Sequence, residues 1–207
     1  MTDIKKENMN IPTERELWKP GNMLYPVPAV MVSCQRPQEA PNIITVAWVG
    51  TVCSEPAMLS ISVKKERYSH NILKDTNEFV VNLVTKDLVR ATDYCGVRSG
   101  RDVDKFKETN LTPVSSCRIH APGIKESPVN LECQVKQVIE LGSHDMFLAE
   151  IVAVTVDKNY IDKNGKFHLN STGLVTYSHG EYFLLGDKLG KFGYSIQKKG
   201  KNYDRKR

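Results

Sequence analysis

The sequence predicts a mainly β protein, an antiparallel sheet closed or nearly closed on itself with a few flanking helices. Three observations carry that expectation. Val- and Ile-rich runs follow one another at 29–35, 42–48, 57–63, 78–84, 131–139 and 146–156. Regular helices do not intervene between them, as a doubly wound α/β fold would require. No Gly-x-Gly-x-x-Gly follows a strand-like run.

Within the strand-like runs the alternation is informative. Leu59, Ile61 and Val63 share one face, with Met58, Ser60 and Ser62 on the other. Ile44, Val46 and Trp48 oppose Thr45 and Ala47, and Asn82 stands alone among apolar residues. Solvent exposure explains these small polar faces as well as a ligand groove does, because a flat ring also needs small side chains to approach a backbone. Later in the chain, 173–185 reads as a hairpin, and Asn164-Gly165 is a pair that suits a tight turn. Helices are expected at 69–74, capped by Ser69, at 86–94, and at 103–109, capped by Asp102. Pro122, Gly123 and Pro128 mark a loop before the fifth run.

Composition excludes several classes. The chain has 207 residues, 40% hydrophobic and 26% charged, which suits one soluble globular domain. No apolar run approaches the ~20 residues of a membrane helix. Residues 1–16 lack the apolar stretch of an export signal, so the cytoplasm is the expected location, with no membrane partner. The net charge is +5, yet the segment from Lys188 onward holds eight basic side chains against one acidic. The body of the chain is therefore slightly acidic, and a solvated basic tail at 188–207 is expected rather than a nucleic-acid partner. The five cysteines show neither a Cys-x-x-Cys pair nor zinc-ligand spacing, so reduced thiols and no metal site are expected. Cys34 and Cys133 lie in apolar stretches and read as core residues.

The segment 62–70, Ser-Val-Lys-Lys-Glu-Arg-Tyr-Ser-His, leaves a strand and enters a helix. It offers hydroxyls, cations and free helical N–H groups, the set that a phosphate monoester wants. Arg67 can bind such a group through two donors, and Lys64 acts as a point charge.

This segment, together with Asn42-Ile43-Ile44-Thr45-Val46-Ala47-Trp48-Val49-Gly50 and Glu55-Pro56, resembles the flavin reductase-like family, its flavoredoxin branch most closely. Ser99-Gly100-Arg101-Asp102-Val103-Asp104-Lys105-Phe106 looks like a signature of the same branch, and Gly142-Ser143-His144-Asp145 is similar to the family's Gly-Asp-His segment. The likeness spans 24–185 and divides the chain into an extension (1–23), the domain (24–187) and the basic tail (188–207).

The resemblance implies an FMN-binding split β-barrel, a Greek-key antiparallel barrel with flanking helices that pairs into a homodimer. It implies that Thr45, Val46, Ala47 and Trp48 border the isoalloxazine, and that Ser62, Lys64, Arg67 and Ser69 hold the phosphate arm. Asn82 would stand at the flavin rim, and His144 beside a nicotinamide site. The implied activity is electron transfer from NAD(P)H through FMN to a flavin, a metal or a protein. Ser143 stands where the family motif usually has Asp, which favours an alternative: an FMN electron carrier without an efficient NAD(P)H site, serving a redox partner. A binding module without redox chemistry is the third reading.

Overall fold

The computed structural model describes residues 12 and 14–196. The chain runs through β1 (Val27–Pro28), β2 (Val30–Cys34), β3 (Asn42–Val46), β4 (Val49–Ser54) and β5 (Ala57–Lys64). Helix α1 (Tyr68–Thr76) and β6 (Glu78–Leu83) follow, then α2 (Val89–Val97) and α3 (Lys105–Thr109). After the short strands β7 (Pro113–Val114) and β8 (Gly123–Ile124) comes a long hairpin, β9 (Val129–Glu140) and β10 (His144–Val156). A small hairpin, β11 (Val175–Ser178) and β12 (Glu181–Leu184), completes the order.

Seven strands form one antiparallel sheet in the order β3-β2-β6-β9-β10-β5-β4. Its two edge strands, β3 and β4, are consecutive in the chain and separated only by Ala47 and Trp48. Laid flat, the outer strands of such a sheet would stand roughly 29 Å apart, at about 4.8 Å per neighbour. Three Cα–Cα steps reach only about 11 Å. The sheet must therefore curl until its edges meet at this link, where the Ser62 amide also donates to the Trp48 carbonyl at 2.9 Å. The result is the expected mainly β split barrel, open along the β3–β4 seam. Register shifts between β9 and β10 mark bulges that help the long hairpin bend.

Two apolar layers hold this shape. Inside the barrel Val32, Ile44, Val46, Leu59, Ile61, Phe79 and Phe147 pack together, and α1 plugs the core with Ile72 and Leu73. Outside, Met31 and Ile43 pack with Cys95 of α2 and Phe106 of α3. Each fully buried large side chain of this kind stabilises by about 1.5–3 kcal/mol. Strand β3 is thus buried on both faces. A small sheet, β1-β11-β12, stands beside the barrel.

The expected helices are present, with different caps. Ser69 does not cap α1; Arg67 occupies the cap position and supplies no side-chain bond. Asp104, not Asp102, caps α3 by accepting from the Lys107 amide at 3.1 Å. The run expected at 86–94 is a 3-10 turn at Lys86–Leu88 followed by α2. At Asn164-Gly165 only Gly165 takes a positive φ, and the Asp162 carboxylate fastens the turn by accepting from Asn164 and Lys166.

Among the described residues no helix is long and apolar enough to cross a membrane, no cluster of metal-ligating side chains occurs, and the five cysteines are free. Most of the basic tail, 197–207, lies outside the described residues, as do 1–11 and 13.

Candidate functional site

The seam is where a curled sheet leaves backbone groups unpaired, and a cleft of about 280 Å³ opens there. The segment from Ile44 to Trp48 forms one wall, and Ser62, Lys64, Arg67 and His144 form another. The register of β10 on β5 sets His144 directly opposite Lys64, so the two side chains stand together on the outer face. Aromatic rings close the mouth. Tyr25 lies 6.3 Å from Trp48 and 6.1 Å from Tyr177, whose ring is 5.5 Å from Tyr182.

A second cleft of about 220 Å³ adjoins the first and shares Ile44 and Arg67 with it. Asn42, Ser69, Ser99, Arg98, Arg101 and Lys105 line this recess. The Asn42 amide donates to the Ser69 hydroxyl at 2.7 Å. Gly100 permits the loop to close over them, because a Cβ there would lie 2.1 Å from the Asn42 Oδ1. Arg101 lies over the Tyr68 ring at 5.6 Å, and Arg67 donates to the Gly96 carbonyl at 3.3 Å.

Lys105 is the distinctive group of the recess. It is only 3% exposed, and its Nζ donates to the carbonyls of Ile43 (2.6 Å) and Cys95 (2.8 Å). No carboxylate lies within 4 Å of it among the described residues. The neighbouring thiols cannot neutralise it, since burial pushes Cys34 up to about 12 and Cys95 up to about 11. Burial pushes the Lys105 ammonium itself down to about 8, and the positive Arg67 adds to that push. A buried cation held by two neutral carbonyls, with further cations beside it, creates a strong local preference for an anion. The first turn of α1 adds to that preference, because its amides have no capping side chain and the turn holds no acidic residue; Glu66, the carboxylate among the lining residues of the recess, pairs with Lys64 at 3.6 Å.

The structure brings Thr45, Val46, Ala47, Trp48, Ser62, Lys64, Arg67 and His144 together in the first cleft, and Ser69 in the second. Their side chains are not equally free. The Thr45 hydroxyl donates to the Thr92 carbonyl, which leaves the backbone of this residue to face the cleft. Lys64 is half exposed and stands 3.6 Å from the Glu66 carboxylate. His144 is half-buried, with Nδ1 at 2.8 Å from the Ser143 hydroxyl.

Asn82 does not join them. It is fully buried between β2 and β9, where its Nδ2 donates to the Met31 carbonyl and the Ser33 hydroxyl at 3.0 Å. Its Oδ1 accepts from the Ile124 amide at 2.9 Å, so a buried donor and acceptor are satisfied and none is left for a ligand. Residue typing missed Lys105, Asn42, Tyr25 and Tyr177. The Ser-Gly-Arg block that ends at Lys105 was visible as a signature, but nothing local in it marks the lysine as buried.

A family model for the flavin reductase like domain matches residues 22–183. The chain belongs to the flavin reductase-like family. A protein of Archaeoglobus fulgidus without an assigned function is 34% identical to this family member over 145 residues, 70% of this chain and 81% of that one. Among solved structures, the flavoredoxin of Desulfovibrio vulgaris (Miyazaki F) superposes with a TM-score of 0.81 at 29% identity, covering 88% of this chain and all of that one. The flavoredoxin of Methanosarcina acetivorans superposes at 0.78 with the same identity and coverage. This flavin reductase-like chain thus shares both its fold and its family with flavoredoxins.

Proposed function

We propose that the protein binds FMN with the ring at the seam and the phosphate in the basic recess, and acts as an oxidoreductase that takes electrons from NAD(P)H. The acceptor is a flavin, a metal ion or a redox protein. The single observation that carries the reading is Lys105, a buried ammonium with no carboxylate partner among the described residues, at the bottom of a recess that opens from an aromatic-lined cleft. A flat ring with a phosphate arm matches the two parts in order: apolar walls and free backbone groups first, cations and hydroxyls next.

The residues present fit that group. Lys105, Ser69, Asn42, Arg67 and the first amides of α1 would hold the phosphate, which adds two of these residues to the set expected from sequence. The open edge of β3 from Thr45 to Val46, with Ala47 and Trp48, would border the ring. Tyr25, Trp48 and Tyr177 exclude water from the cleft mouth. When bound, FMN supplies the hydride acceptor and passes the electrons on. With Nδ1 engaged by Ser143, His144 would offer its Nε2 side to a nicotinamide donor and orient it.

A second copy of the chain is the proposed partner at the seam. The apolar surface there, which includes Met23, Leu24, Val27 and Val49 beside Ala47 and Trp48, supports a homodimer that covers the cleft. A carrier that accepts electrons from a redox protein is the second reading, favoured by Ser143 at the place of the family aspartate and by the likeness to flavoredoxins. One experiment tests the flavin and donor assignments, and sedimentation of the purified protein tests the homodimer. The purified protein should be yellow, and NADH or NADPH added without oxygen should bleach it. A colourless protein that takes up no FMN would overturn the proposal; slow bleaching with fast exchange to a redox protein would select the carrier.

A further inference from the structure

We propose that the buried pair His70 and Asp145, closed over by Lys65, is the positioning element that sets the span between the phosphate recess and His144. The inference rests on the FMN reading above. His70 Nε2 lies 2.8 Å from Asp145 Oδ2, and the residues are 5% and 1% exposed. The other carboxylate oxygen has no aligned hydrogen bond and is met only by the Lys65 Nζ at 3.2 Å. The His70 ring stands edge-on to Phe147 of the inner core, 5.6 Å between centroids. Burial raises the Asp145 carboxyl, but the His70 and Lys65 contacts outweigh it and hold the group below its usual range.

Each member of this triad is the chain neighbour of a cleft residue. Lys65 follows Lys64, His70 follows Ser69, and Asp145 follows His144. In β10 alternation sends His144 out to the cleft and Asp145 into the barrel end, where it pairs in register with Val63. Three pieces of the site, the end of β5, the first turn of α1 and the start of β10, are therefore tied together from behind at one carboxylate. The triad touches no ligand position in either cleft.

The chemistry of the triad is informative. A buried carboxylate with its hydrogen-bonded partners gives little net stability over well-packed apolar residues of the same volume. What hydrogen bonds add is direction: they fix distance and angle where apolar contacts slide. The value of the pair therefore lies in the geometry of the cleft.

The test uses the full chain with two variants, H70L/D145L and D145N. Thermal unfolding of the flavin-free protein, FMN titration by fluorescence, and the His144 imidazole resonance of the flavin-free protein by NMR are compared with wild type. The double variant is expected to melt near the wild-type temperature, to bind FMN about tenfold more weakly, and to show a displaced or broadened His144 signal. D145N keeps an acceptor for His70 and should shift both readouts less, in the same direction. Should the double variant not fold, D145N alone decides. Wild-type affinity together with an unmoved His144 resonance in a folded variant overturns the proposal. If wild type itself binds no FMN, the functional reading fails, while the His144 resonance still decides the positioning role.

Discussion

Replacing Lys105 by methionine separates the two jobs of this side chain. The gap between its usual 10.5 and about 8 corresponds to roughly 3 kcal/mol by which its buried surroundings disfavour the charged form. Removing the ammonium relieves that penalty but leaves the Ile43 and Cys95 carbonyls without a donor, a cost of about 1–3 kcal/mol for each unsatisfied group. The opposing effects are of similar size, so K105M without flavin should fold with stability near wild type. FMN binding should suffer far more, since a desolvated charge-assisted contact to phosphate is worth about 1.5–3 kcal/mol, roughly 10- to 150-fold in Kd.

The pH dependence follows with a definite sign. In the folded protein Lys105 loses its proton at about 8, below the unfolded value of 10.5, so between these the unfolded chain binds more protons. The penalty for burying this charge is therefore full below the window and is relieved as pH climbs through it, so the stability of the flavin-free protein rises across that range. FMN binding runs the other way, because the phosphate needs the ammonium form. Wild-type affinity should fall above pH 8, whereas K105R, charged throughout, should show no such decline. The groups facing Lys105 are the thiols of Cys34 and Cys95 and the guanidinium of Arg67, and none supplies a competing carboxylate. Fluorescence titrations of FMN from pH 7 to 10 on the three proteins decide the matter, and equal affinities for wild type and K105M would refute the reasoning.

Other substitutions probe the surroundings. Arg67→Ala should weaken FMN binding by only about 0.5–1.5 kcal/mol, less than K105M, because this guanidinium is exposed and screened; an effect larger than that of K105M would relocate the phosphate. His144→Ala should slow flavin reduction by NAD(P)H in anaerobic stopped flow more than it alters FMN affinity, and an unchanged rate removes His144 from that step. Gly100→Ala drives a methyl group into Asn42 and should cost about 1–3 kcal/mol in urea denaturation, along with weaker FMN binding. Asn82→Ala orphans the Ile124 amide and should destabilise by about 1–3 kcal/mol while leaving FMN affinity unaltered, the outcome that separates a core residue from a rim residue.

The strand content and the clustering of hydroxyls and cations at 62–70 were legible in the chain alone, because alternation and side-chain type are local properties. Strands β2, β3, β5, β6, β9 and β10 all lie where Val- and Ile-rich runs placed them. Strand β4 escaped notice, since an exposed edge strand such as Val49–Ser54 carries no clear apolar face. Tertiary structure alone decided which polar residues meet. Asn82 looked like a solitary polar group on a ligand face and instead closes a hydrogen-bond set across β2, β6 and β8. Nothing local in the sequence singles out Lys105, yet its ammonium reaches the carbonyl of a residue 62 positions earlier. Burial, and with it the loss of solvation that makes a charge seek an anion, depends on how distant strands and helices close over a side chain.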